Sequence, residues 1–402
     1  MKLVPDAVQD DETCHLHRRG VSFPADVQSG VIAPFRWWGR IVTDHGTTSQ
    51  TGRSQDLLDE ATDHIDRAID TLLQELDVNA DLLHRMAAYH FGKITPSGAP
   101  VDEDDQRRIQ GKRMRPLIAV LSSVAAGGTP ADAAPLAAAI ELLHNFTLIH
   151  DDIQDRSPNR RHRSTVWRIW GDAQAINAGD ALFAAAQIGV LDTPSPHITT
   201  DRLLEIARAF NRMTIDIVRG QVLDLEFEGR DDVSPDDYLD MIRGKTAAIV
   251  RFSAWAGSLL GGASDETADL FARFGEALGL GFQIRDDALG IWGEAAETGK
   301  DTADDIRRRK QSLPVLLLRA AASPEDRETL AQVFGGDRVG EDGVEAVLSM
   351  FESYDIASDV ERRVHAYHDE AVTALDALAS GTDPRALAAL RSLTDRMAVR
   401  SA

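Results

Sequence analysis

The sequence predicts an all-α protein built as one large helical domain, and three observations carry that expectation. Apolar residues recur at the spacing of an amphipathic helix through most of the chain. Glycine- and proline-rich breakers separate these stretches, and neither βαβ alternation nor a clear hairpin run interrupts them. The long helices so implied enclose polar positions, as in a bundle with a site at its centre.

The elements follow in order. Residues 1–53 mix Gly, Thr, Ser, Gln and Asp around one apolar patch and sustain no period, so they read as a mostly disordered extension. In that patch, Phe35, Trp37 and Trp38 read as a docking contact, a mis-assigned start or a partner-binding peptide. The helical domain is expected over residues 54–402. Ser54 is placed to cap, and Leu57, Leu58, Ala61, Ile65, Ile69, Leu72 and Leu73 form one stripe. Further helices are expected at about 79–92, 112–126, 130–152, 171–190, 200–228, 235–260, 264–291, 302–321, 323–334, 343–380 and 384–400. The breakers include Gly127 to Pro130, Asp192 to Pro196, Gly261-Gly262, Gly335-Gly336 and Gly381 to Pro384.

A chain of 402 residues with 43% hydrophobic content can bury a sizeable core. No apolar run approaches the ~20 residues of a membrane span, and no basic-then-apolar leader opens the chain, so a cytoplasmic location without membrane insertion is expected. The single cysteine, Cys14, excludes an internal disulfide framework and a cysteine metal site. The net charge of −22 repels nucleic acid and anionic lipid. It also repels anionic substrates, so a site for one needs local cations or metal ions.

Two aspartate pairs stand inside apolar helical stretches: Leu148-Ile149-His150-Asp151-Asp152-Ile153-Gln154-Asp155 and Phe282-Gln283-Ile284-Arg285-Asp286-Asp287. On a helix Asp151 and Asp155 share one face, with Asp152 offset. A single such motif reads first as caps or surface acids. Two pairs among apolar residues demand compensation, because an ionised carboxylate out of water costs several kcal/mol. Carboxylate oxygens suit Mg²⁺, which keeps some waters and shares its shell with phosphates. The pattern therefore points to a diphosphate held through Mg²⁺ between two helices.

The cations gather where such a site needs them: Lys112, Arg113 and Arg115 at a helix entrance, Arg160, Arg161 and Arg163 after the first pair, Lys245, and the run from Lys300 to Lys310. Only six lysines stand beside 37 arginines, and four of the six fall in these places. Seen alone, Arg307 to Lys310 would read as a solvated face; its coincidence with the aspartate pairs changes that reading.

At this point the chain resembles the trans-isoprenyl diphosphate synthases, the polyprenyl synthetase family, over about residues 55–400. The family's GGKxxRP element appears as Gln110 to Pro116, its first aspartate-rich motif as Asp151, Asp152 and Asp155 followed by Arg160 and Arg161, and its Lys-Thr motif as Lys245-Thr246. Its FQxxDD motif appears as Phe282, Gln283, Asp286 and Asp287, and its later lysines as Lys300 and Lys310. The resemblance implies an isoprenoid-synthase bundle with a central apolar cavity, and a short-chain prenyltransferase that acts as a homodimer. Lys112, Arg115, His144 and Arg161 would hold isopentenyl diphosphate. Arg160, Lys245, Thr246, Gln283, Lys300 and Lys310 would hold the allylic diphosphate, whether dimethylallyl, geranyl or farnesyl. Asp151, Asp155 and Asp286 would be the main ligands of Mg²⁺, with Asp152 and Asp287 in or near that shell. About three ions are expected, with Mn²⁺ as a substitute. Alone, His144 would read as a satisfied core residue.

The chemistry implied needs no nucleophilic serine or cysteine. Breaking the allylic C–O bond leaves charge on diphosphate, which cations stabilise where it develops. Apolar walls keep water from the allylic cation, the isopentenyl double bond attacks its C1, and a proton leaves to diphosphate. Gly290 stands where many members carry a third aspartate, His162 replaces a usual Gly and Ser164 a usual Pro. Phe146, with the smaller Thr147 beside it, lies before the first motif and faces the substrate-tail region if it is not ordinary core. In this family that pattern fits geranylgeranyl diphosphate (C20) as main product; farnesyl diphosphate (C15), or a C25 product if the tunnel bypasses Phe146, also fits. A terpene cyclase would leave Lys112 and Arg115 unexplained, and a regulatory subunit would usually lack one aspartate motif.

Overall fold

In the computed structural model the described residues are 48–399, apart from 78, 80, 194–195, 294–302 and 337. The helices that frame the site are long. α1 spans Thr48–Gln74, α2 Leu82–His90, α3 Glu103–Gln110, α4 Met114–Ala125, α5 Pro130–Gln154, α6 Val166–Trp170, α7 Asp172–Leu191 and α8 Thr200–Phe227. α9 (Pro235–Ile242) runs through a π-turn, Arg243–Ala247, into α10 (Ala248–Leu260), and α11 spans Asp265–Trp292. The chain closes with α12 (Asp304–Arg307), α13 (Leu313–Ala321), α14 (Pro324–Phe334), α15 (Glu341–Ser353), α16 (Ile356–Ala377) and α17 (Pro384–Val399). No described helix is long and apolar enough to cross a membrane.

Capping chemistry explains most of the starts. Thr129, Thr199, Ser264 and Ser323 each accept a backbone N–H at their helix entrance, and Ser234 with Asp237 forms a capping box on α9. The core forms around α4, α5, α7, α8, α10 and α11, where Ile118, Leu121, Leu136, Ile140, Leu142, Ala178, Phe210 and Phe274 are fully buried. The stripe predicted for α1 is buried from Leu57 to Leu73.

Several elements differ from the sequence-based expectation. α1 begins at Thr48, inside the segment read as an extension; residues 1–47, with Phe35, Trp37 and Trp38, lie outside the described residues. A helix over 103–110, capped by Asp102, was not anticipated. The helix expected over 235–260 is continuous but widened by the π-turn, whereas 343–380 is broken at Asp355, whose φ of 51° is left-handed. A small hairpin also appears, pairing Asn159 with Ser164 and Arg160 with Arg163. Its turn residues, Arg161 and His162, have φ of 50° and 61°, the geometry of a type I′ turn normally filled by Asn and Gly. That residue choice hid the hairpin from a propensity-based reading.

Candidate active site

The C-terminal turn of α5 carries the first aspartates. Burial pushes the Asp151 carboxyl up to about 6; Lys245 and Arg160 oppose the rise, while Asp155 and Asp224 add to it. Asp155, the exposed C-cap residue, is raised by burial and by Asp224 against the pull of Lys245. Asp152 has another fate. It is 2% exposed and bound by Arg160, whose Nε donates to both oxygens at 3.0 Å and whose Nη2 lies 2.8 Å from Oδ1. The offset of Asp152 from the shared face of Asp151 and Asp155 is thus real. Arg160 and Asp152, assigned by resemblance to diphosphate and metal respectively, are paired with each other here.

Lys245 lies on the π-turn and donates to Asp224 of α8. Two glycines bring these backbones together. A Cβ on Gly220 would stand 2.7 Å from the Lys245 Cα, and one on Gly244 2.6 Å from the Asp216 carbonyl oxygen. The π-turn widens the helix at this contact, as such turns often do at functional sites. Asp224 was not picked out from the sequence. Its charge is felt by Asp151, Asp155 and Glu228 on one side and by Tyr238 and Lys310 on the other. Asp224 thus acts on the first aspartate cluster and also on Tyr238 and Lys310, the partners of Asp287.

α11 carries the second pair. Asp286 is exposed, whereas Asp287 is 1% exposed and accepts from Tyr238 Oη, Gln283 Nε2 (3.1 Å) and Lys310 Nζ (2.9 Å). Thr246 Oγ1 donates to Gln283 Oε1 at 2.8 Å and ties the π-turn into the same network. Burial works against the Lys310 charge, but Asp287 and Asp305 outweigh it and hold its pKa above the ordinary lysine value. Asp287, Gln283, Thr246 and Lys310 are thus interlocked, and only Asp286 of the pair is presented outward. Tyr238, which burial and Asp287 keep protonated far above the usual range, was also missed from sequence. Lys300 lies outside the described residues.

Gly290 has a structural explanation. A Cβ there would stand 2.6 Å from the Cγ of Asp305, whose carboxylate is 4% exposed. The space that a third aspartate on α11 would need is filled by an acid from α12.

A second basin collects cations. Arg115 of α4 and Arg160 and Arg161 of the hairpin surround His144; burial first, then these charges, keeps His144 neutral well below its ordinary pKa. Arg161 Nη1 donates to the Ile109 carbonyl at 2.8 Å, and a Cβ on Gly111 would lie 3.0 Å from its Nη2, so the residue before Lys112 must be small. Lys112 is exposed beside it. Arg163 secures the hairpin by donating to the carbonyls of Tyr89 and Ile94, both at 3.0 Å, and lies 4.0 Å over the Tyr89 ring. Of the four residues expected to hold isopentenyl diphosphate, Arg115, His144 and Arg161 come together and Lys112 adjoins them.

Below the first motif, Phe146 meets His150 edge-on at 4.8 Å and Phe183 of α7 at 5.4 Å between ring centres. Thr147 Oγ1 donates to its own helix at the His144 carbonyl.

The donor set suits a hard divalent ion. Asp151, Asp155 and Asp224 crowd their charge around one lysine, and burial raises Asp151 further. Among the described residues no three acidic or imidazole groups stand close enough to enclose an ion by themselves. An ion here would complete its shell with phosphate oxygens and water, as Mg²⁺ does.

The sequence model of the polyprenyl synthetase family matches residues 105–351. A (2E,6E)-farnesyl diphosphate synthase from Mycobacterium bovis is 39% identical over 285 residues, 70% of this chain and 77% of that protein. A geranylgeranyl diphosphate synthase from Sulfolobus acidocaldarius is 35% identical over 275 residues, 68% of this chain and 82% of that protein. Among solved structures, a polyprenyl synthetase from Streptomyces coelicolor superposes with a TM-score of 0.75 at 34% identity, covering 85% of this chain and 99% of that one.

Proposed function

Since the chain belongs to the polyprenyl synthetase family, we propose how its described residues divide the work of that chemistry. The protein is a short-chain trans-prenyltransferase that joins isopentenyl diphosphate to an allylic diphosphate and depends on Mg²⁺. Asp151, Asp155 and Asp286 would hold the metal; about three ions, with Mn²⁺ able to replace them, would serve each site. Bound there, the ions would neutralise charge on the departing diphosphate. Lys245 provides a fixed positive charge beside the same position, and Arg160, Thr246, Gln283, Lys300 and Lys310 complete the allylic diphosphate's binding. Asp152 and Asp287 act from behind: they hold Arg160 and Lys310 in place. Lys112, Arg115, His144 and Arg161 take isopentenyl diphosphate. Apolar walls of α5 and α7 exclude water from the allylic cation until the isopentenyl double bond attacks it.

The observation that carries this reading is the pairing of a carboxylate-rich space around Lys245 with a separate cationic basin around His144. One site is built to need metal, the other to take a bare anion. Product length follows from Phe146, backed by Phe183, and favours geranylgeranyl diphosphate ahead of farnesyl diphosphate. A homodimer is supported by exposed Ile215, Val218, Val222 and Leu225, which line one face of α8, and by exposed Ile176, Ile188 and Leu191 on α7. The test is diphosphate release from the purified chain with isopentenyl and dimethylallyl diphosphates, followed by chromatography of the dephosphorylated products. Metal-dependent release with lengthening of the prenyl chain is expected. Release from the allylic substrate alone, with a hydrocarbon product, would overturn the assignment.

A further inference from the structure

Between the first aspartates and the Phe146 wall stands a side chain that the proposed mechanism does not use. His150 of α5 directly precedes Asp151 and follows Phe146 by four residues, so His150 and Phe146 share a helix face. Its half-buried ring crosses to α7, where Nε2 lies 3.4 Å from the Ile176 carbonyl oxygen and 3.7 Å from Asp180 Oδ1. Both neighbours accept, so Nε2 carries the proton and donates to the carbonyl. A glycine opens the slot that the ring fills. A Cβ on Gly179 would stand 2.5 Å from Cδ2 of His150, so a larger residue there displaces the imidazole. Phe146 meets the His150 ring edge-on at 4.8 Å, a favoured arrangement of such rings, and Phe183 at 5.4 Å. The contacts pair His150 with Gly179 and Phe146 with Phe183, so α5 and α7 run antiparallel here. His150 thus lies one helical turn nearer Asp151 than Phe146 does.

We infer that His150, anchored to α7 in the slot at Gly179, is a positioning residue for product length: it locks the Phe146 ring across the path of the growing prenyl tail. The inference rests on the reading of Phe146 as the length-setting wall. Two effects compete if the imidazole is removed. Contact with Phe183 alone would hold Phe146 in place, and the product would not change. Alternatively, Phe146 turns into the emptied slot, and the tunnel deepens. The second effect wins, because Gly179 has no side chain to refill the gap and Phe183 touches Phe146 from the α7 side one turn deeper. An imidazole and one isoprene unit are of similar size, so the expected gain is one unit.

The experiment uses the full chain with Mg²⁺, isopentenyl diphosphate and dimethylallyl diphosphate, and compares the parent with His150→Ala, His150→Gln, Phe146→Ala and the double variant His150→Ala/Phe146→Ala. Chromatography of the dephosphorylated products gives the ratio of the next longer product to the parent's main product. The ratio is read within each sample, so slower turnover or partial unfolding of a variant does not move it. In His150→Ala it should rise about tenfold. His150→Gln, whose amide can still donate to the Ile176 carbonyl, should keep the parental ratio. Because His150 acts through Phe146, the double variant should match Phe146→Ala within about twofold. A parental ratio in His150→Ala, beside lengthening in Phe146→Ala, would overturn the inference and leave the Phe146 reading intact. Further lengthening in the double variant, or a shift in His150→Gln as large as in His150→Ala, would also overturn it. A parental product from Phe146→Ala would remove the wall, and the inference with it. If the parent makes chiefly farnesyl diphosphate, the C20 reading fails while the same ratios still judge His150.

Discussion

Placing an aspartate at position 290 is expected to damage this protein. The added Cβ would lie 2.6 Å from Asp305 Cγ, against the roughly 3.5–4.0 Å of an ordinary carbon contact, so Asp305 must move by about an ångström. Asp305 is 4% exposed and α12 has little room to yield. The new carboxylate would sit about 4 Å from the old one, and at an effective dielectric of about 20 that repulsion is about 4 kcal/mol. Replacing a helical glycine returns less than about 0.5 kcal/mol. Lys310, already shared by Asp287 and Asp305, lies 3.8 Å from Asp305 and offsets part of the repulsion. The net loss for Gly290→Asp is therefore about 3 kcal/mol. Urea unfolding measures it as a lower midpoint at unchanged slope. The double variant Gly290→Asp/Asp305→Gly removes both clash and repulsion and should recover at least half of the loss. A single variant as stable as the parent, or a double variant no better than the single, would show that Asp305 does not exclude a side chain at position 290.

Other outcomes follow from the same geometry. The folded Asp151 pKa of about 6 exceeds its ordinary 3.8, so this group's stabilisation is fully present below pH about 4 and is lost as pH rises through about 6. Thermal melts of metal-free protein should show a loss of about 1–3 kcal/mol over that window, after allowance for partial exposure, and Mg²⁺ with inorganic diphosphate should abolish it. Arg160→Leu strands the buried Asp152 carboxylate and should cost about 3–5 kcal/mol, read by urea unfolding; Asp152→Asn in the same background should recover much of it. Phe146→Ala should lengthen the dominant product by at least one isoprene unit on chromatography, and an unchanged product would remove Phe146 from the length-setting wall.

What could be read from sequence was local and periodic. The α1 stripe from Leu57 to Leu73 and the common face of Asp151 and Asp155 need only helical spacing. Arg115 and Arg161 stand out in the sequence as cations near the aspartate pairs, whereas His144 comes only from the family resemblance. What was missed depends on packing between distant segments. The π-turn that aims Lys245 arises where Gly220 and Gly244 let two backbones approach, a contact that no window of sequence contains. Asp224 and Tyr238 look like ordinary helical residues because their partners, Lys245 and Asp287, lie on other elements. The hairpin escaped notice because Arg161 and His162 occupy left-handed positions that their residue types disfavour. Asp152 and Asp287 were grouped with the metal ligands, yet the structure buries each against its own cation. In both pairs the adjacent position on the helix turns the side chain into the wall.

In the proposed site, Asp151 and Asp286 act on one diphosphate through shared divalent ions. This arrangement is tested most directly by titrating free Mn²⁺, followed by its paramagnetic resonance signal, against the parent protein, Asp151→Asn and Asp286→Asn, each with and without inorganic diphosphate. Tight Mn²⁺ uptake by the parent is expected when diphosphate is present, with a marked loss of that uptake in either variant. Mn²⁺ uptake that ignores diphosphate, or that survives both substitutions, would contradict it.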